Sequence, residues 1–60
     1  MMYSVQYVLR GVSRGTSHHR GTEESAIAAA KAGLISRGAD HARLLDDAGL
    51  EVRVVRAEAP

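Results

Sequence analysis

The stretch His41-Ala-Arg-Leu-Leu-Asp-Asp-Ala-Gly-Leu-Glu-Val-Arg-Val-Val-Arg56 carries the clearest local signal in the chain. Asp46-Asp47-Ala48-Gly49 separates two β-prone runs. The acids favour the start of a turn, and Gly49 can take the positive φ of a bulged hairpin. The spacing predicts strands over 41–46 and 50–56. In the second run Leu50, Val52 and Val54 alternate with Glu51 and Arg53 and are expected to face the core. Ala42 and Leu44 are their natural inward partners, which leaves Arg43 and Leu45 outward.

Upstream of this hairpin, Thr22-Glu23-Glu24 reads as a helix start. A threonine hydroxyl caps free backbone N–H groups, and acids in the first turn complement the positive end of the helix dipole. The helix is expected to run to Arg37 and stop at Gly38, with Ala26, Ile27, Ala30, Leu34 and Ile35 forming its apolar stripe. Its alanine-rich middle permits close approach to a sheet. The run 26–33 offers a second use, as a contact face for another helix.

At the other end of the chain, Tyr3, Val5, Tyr7 and Leu9 alternate with Ser4, Gln6 and Arg10, which predicts a half-buried strand with Val8 as the exception. The segment from Gly11 to Gly21 is rich in glycine, serine and arginine and reads as a loop. Within it, the residues flanking Arg14-Gly15 could pair as a short hairpin extension.

The expected architecture is therefore α+β, in the order β-α-β-β: a three-stranded mixed sheet with one helix on one face. A right-handed crossover would make the first strand parallel to the second. The domain is expected over 1–57, with 58–60 as a frayed tail. One sheet face is left without a helix. Val8, Leu45 and Val55 are expected there beside Arg43, which makes these four the candidate protein interface.

The scarcity of apolar side chains points the same way. Of the 60 residues, 45% are hydrophobic, but ten are alanine and two are methionine, and there is no Phe, Trp or Cys. A core built from the remaining Val, Ile, Leu and Tyr, with no disulfide, supplies at best ~3–5 kcal/mol. Self-association as a homodimer is the expected remedy. The absence of cysteine also excludes thiol chemistry, zinc fingers and disulfide frameworks.

The formal charge of +1 gives no strong pull toward nucleic acid or an anionic membrane. The charge is unevenly spread: residues 1–22 hold Arg10, Arg14 and Arg20 and no acid. With His18 and His19 they form a candidate phosphate-contacting loop. Glu23 and Glu24 occupy the helix turn a phosphate would need, and Gly11, Gly15 and Gly21 match no nucleotide-binding fingerprint.

Adjacent histidines on a strand diverge, so His18, His19 and His41 are expected to hold no metal. No cofactor is expected, and no enzymatic activity: nothing resembles a nucleophile elbow, and one helix on three strands encloses little depth. No apolar run is long enough to span a bilayer, and the first residues lack a signal-peptide pattern, so a cytoplasmic location and no membrane partner are expected. The use of Ala, Gly and Arg over Lys points to a GC-rich bacterial or phage coding sequence. The reading is a non-enzymatic binding or adaptor protein that docks to a macromolecule, with a protein partner favoured over nucleic acid. The alternative is a nucleic-acid-binding module that uses the basic loop.

Overall fold

The computed structural model describes residues 1–57; the tail expected over 58–60 lies outside the described residues. The chain runs β1 (Met2–Leu9), β2 (Val12–Arg20), α1 (Glu23–Arg37), β3 (His41–Leu45) and β4 (Glu51–Arg56). The four strands form one antiparallel sheet in the order β2-β1-β3-β4, with α1 packed on one face.

The α+β class, the single helix and the final hairpin agree with the sequence reading. The strand count and directions differ, because the segment read as a loop is a full strand. Its turn is not at Arg14-Gly15 but at Arg10-Gly11, where φ values of 51° and 78° match the two positive-φ positions of a tight two-residue hairpin. Arg14 and Gly15 sit instead in a β-bulge opposite Tyr7, with Gly15 at φ 111°. Since β2 reverses the chain before the helix begins, the crossover leaves from β2. It arrives at β3 parallel to β2, with β1 between them and antiparallel to both.

Tyr3, Val5 and Tyr7 of β1 are buried under the helix, with Leu9 half-buried at the end of the strand, and are joined by Ala42 and Leu44 of β3. From α1 the stripe Ala26, Ala30 and Leu34 meets them at a spacing of four. Ile27 packs at the margin, whereas Ile35, expected in the stripe, is 86% exposed. The small residues bring the helix close to the sheet. Closest of all is Gly33, where an added Cβ would overlap the Oη and Cζ of Tyr7 and lie 2.7 Å from its Cε1. Gly33 is thus a seat for the Tyr7 ring within this chain.

The helix ends are satisfied as the sequence suggests, with one addition. Thr22 Oγ1 accepts from the Ser25 N–H at 3.1 Å, and Ser25 Oγ accepts from the Thr22 N–H at 3.1 Å, completing a reciprocal capping box with serine as its second member. Gly38, at φ 64°, closes the C-terminus, and the Ala39 N–H donates to the Leu34 carbonyl at 3.1 Å. In the β3–β4 turn, Asp46 Oδ1 accepts from the N–H groups of Ala48 and Leu50, both at 2.9 Å, and Gly49 takes φ 84°.

The phase of β4 departs from the alternation of its sequence. A bulge between Leu44 and Leu45 sets Leu45 opposite Glu51 but Leu44 opposite Arg53, so Val52 is the extra residue. Beyond it, the faces are exchanged. Val55, opposite Ala42, is 4% exposed and belongs to the core, whereas Val54, opposite Arg43, faces away from the helix. Val55 is therefore not part of the helix-free face, and Leu50, Val52 and Val54 are exposed instead of buried.

Candidate functional site

The helix-free face is assembled from three cross-strand rows, since directly opposed residues in an antiparallel sheet share a face. His18, Ser4, Leu45 and Glu51 form one row; Thr16, Gln6, Arg43 and Val54 the next; Ser13, Val8, His41 and Arg56 the third. Arg20, opposite Met2, extends the face at one end. Val8 and Leu45 are half-buried among these neighbours, and Val54 takes the place expected of Val55.

Arg43 lies at the centre. Its Nη1 donates to Gln6 Oε1 at 3.0 Å and its Nε to Glu51 Oε1 at 2.6 Å, so one guanidinium links β1, β3 and β4. Held by two partners, the side chain is oriented across the face while remaining open to solvent, a suitable arrangement for meeting an acceptor on another molecule. Ser4 Oγ and His18 Nδ1 lie 3.2 Å apart on the same face. Arg20, Arg43 and Arg56 outnumber the carboxylates of Glu51 and Asp40, so the face combines aliphatic patches with a cationic surround.

The five residues read as one phosphate-contacting loop are spread along and across a strand. Arg14 and Arg20 are six residues apart on β2, about 20 Å at ~3.3 Å per residue. His18 and His19 point to opposite faces: His18 meets Ser4, and His19 Nε2 lies 3.0 Å from Ser25 Oγ at the helix cap. Among the described residues no group of three or more His, Asp or Glu is placed to hold a metal ion.

Arg10 instead joins residues that are distant in sequence. Asp40 Oδ2 accepts from the Arg10 N–H at 3.0 Å, its Oδ1 pairs with His41 Nδ1 at 2.7 Å, and Arg56 stands opposite His41. At the helix C-terminus Arg37 places its Cζ 4.7 Å from the centroid of the Tyr7 ring, beside the bulge at Gly15. One end of the molecule thus carries Arg10, Arg14, Arg37 and Arg56. The opposite end carries the helix start Glu23-Glu24 and the turn Asp46-Asp47, with Arg20 at the end of β2 beside them. This sorting follows from the strand directions, and no local run of sequence displays it.

The Arg10 N–H, followed by the His41 side chain, lowers the pKa of the Asp40 carboxyl below its ordinary 3.8. A depressed carboxylate contributes stability that is present above the ordinary value and is lost as pH falls through the folded one. Urea midpoints measured from neutral to acid pH are expected to fall less steeply below about pH 4 for Asp40→Asn than for the unaltered chain. Identical acid limbs would show that the Arg10–Asp40 link holds no weight in the fold.

A further depression between α1 and the end of β4 is lined by Lys31, Leu34, Ile35 and Ala57. No helix among the described residues is long and apolar enough to cross a membrane. Comparisons with family models, with curated proteins and with solved structures find no match to this chain.

Proposed function

We propose that the chain is a small non-enzymatic binding protein of bacterial or phage type. It docks, as a homodimer, to a protein whose surface presents apolar side chains ringed by carboxylates. The observation that carries the reading is the Gln6–Arg43–Glu51 link on a sheet face that no part of the described chain covers, with Val8, Leu45 and Val54 about it. Interface centres are more apolar than the rest of the surface and enriched in arginine, and this face sets Arg43 among aliphatic side chains.

A second reading, contact with a nucleic-acid backbone, is favoured by the gathering of Arg10, Arg14, Arg37 and Arg56 at one end. Such contacts are strongly salt-dependent. One experiment separates the two. Arg43→Gln combined with Leu45→Gln alters the centre of the face, and Glu24→Gln serves as a control on the helix. Quantitative capture from the source cells is expected to show a protein retained by the unaltered chain and the control, lost by the double variant and indifferent to nuclease. Equal capture by all three chains would refute the face as the docking surface. Loss on nuclease treatment and at raised salt would replace the protein partner with nucleic acid.

A further inference from the structure

Among the described residues the sheet has two free edges, β2 and β4, and they are unlike. Along β2, beyond Val12, every side chain is polar, glycine or cationic, and the Gly15 bulge breaks the regularity of the strand. Cations and bulges are the usual protection of an edge against pairing, and β4 carries them as well, at Arg53, Arg56 and the Val52 bulge; what separates the two edges is the apolar content of β4. Along β4 the exposed residues include Val52 and Val54, with Leu50 just before the strand, exposed at 40%, 38% and 65%. Three of the large apolar side chains this small protein leaves in solvent therefore sit on one edge.

The backbone of β4 is also turned outward at the right positions. The Ala57 N–H donates to the Asp40 carbonyl across β3, so by alternation Val55 and Arg53 direct their N–H and C=O groups inward to β3. Those of Val54 and Arg56 face the free edge. A second strand pairing there must keep side chains on matching faces, which in an antiparallel two-fold arrangement requires the axis to pass through a residue. With the axis at Val54, the two Val54 residues oppose each other and exchange both hydrogen bonds. Arg56 of each copy then reaches the start of β4 in the other. Glu51 stands there on the same helix-free face, already oriented by Arg43. The pairing brings the two opposite charges together twice.

We infer that a second copy of this chain pairs with the β4 edge, antiparallel about Val54, to give one continuous eight-stranded sheet. The inference rests on the homodimer in the reading above and specifies its interface. It joins the two helix-free faces into a single surface, with the Arg43 residues on either side of the axis.

Light scattering after size exclusion, at high micromolar concentration, is expected to give twice the 6.4 kDa chain mass. Val54→Lys places two like charges opposite each other and is expected to give a monomer with unchanged circular dichroism, whereas Thr16→Lys on β2 leaves the dimer intact. Should Val54→Lys fail to fold, cysteine variants decide. The chain has no cysteine of its own, and the two Val54 Cα atoms of a hydrogen-bonded pair lie about 5.5 Å apart, so Val54→Cys is expected to give a covalent dimer with a short bis-maleimide while Thr16→Cys does not. A dimer that persists in Val54→Lys, or no cross-link at Val54→Cys, overturns the β4 interface and leaves the homodimer standing. A monomeric unaltered chain overturns both. Docking through the helix-free face is measured separately by the capture experiment.

Discussion

Gly33→Ala is expected to remove about half of the stability of the protein, although alanine is the better helix former. At an exposed helix position the exchange gains about 1 kcal/mol. Here the new Cβ meets the Tyr7 ring, which is 3% exposed and lies on β1, the strand flanked by β2 on one side and β3 on the other. Neither ring nor strand has room to retreat. Over-packing of this kind costs about 1–3 kcal/mol and sometimes more. Because the overlap involves several ring atoms, a net loss of about 2 kcal/mol is expected, roughly half of what a chain of this size holds. Urea unfolding of Gly33→Ala measures it. The pair Gly33→Ala with Tyr7→Phe should recover part of the loss, since Tyr7 Oη is among the overlapping atoms. A Gly33→Ala chain as stable as the original would mean that the helix does not rest on Tyr7.

Leu44→Ala is expected to leave the chain largely unfolded at 25 °C. Leu44 and Val5 are the largest side chains with essentially no exposure, and they oppose each other across the β1–β3 pairing beneath the helix. Truncating an enclosed leucine costs about 2–5 kcal/mol, which takes all or most of the stability available. Loss of the helical signal in far-ultraviolet circular dichroism and collapse of amide dispersion in NMR would be the readout. Ile35→Ala, at a side chain 86% exposed, serves as the contrast and should unfold with the same midpoint as the unaltered chain. Equal effects at the two positions would contradict the placement of the core.

These two sites differ in how visible they are in the sequence. Leu44 is readable from period-two alternation, as are Tyr3, Val5 and Tyr7, and the helix is bounded by residues whose capping chemistry is explicit, Thr22 and Gly38. Gly33 is not readable, because the need for a missing Cβ arises only once Tyr7 lies beneath it. β2 was hidden for a related reason. Ser13, Thr16, Ser17, His18 and His19 show no apolar alternation, since this edge strand is held by backbone pairing to β1 and contributes little to the core.

The candidate face was legible in part. Val8, Arg43 and Leu45 stand on it as the alternation implies, and Val55 does not. The bulge at Val52 shifts the phase of β4, and in a strand containing valine at 52, 54 and 55 either phase buries an aliphatic side chain. Hydropathy alone could not choose between them. The basic end was out of reach as well, because Arg10 and Arg14 meet Arg37 and Arg56 only through a topology in which β2 is a strand.

The central position of β1 also has a kinetic consequence. Its β2 partner is adjacent in sequence, and a hairpin of that kind closes in about 1–10 μs. Its other neighbour is β3, in pairs separated by 33 residues at Val8–His41 and 41 at Ser4–Leu45. The β1–β2 hairpin can therefore form early and leaves the other side of β1 unpaired until β3 arrives. Folding is completed by this long-range β1–β3 closure, the kind of step that slows folding as contact order rises. Until then the most apolar strand of the protein keeps one edge open to a wrong partner, and a fragment that lacks residues 41–45 is expected to aggregate.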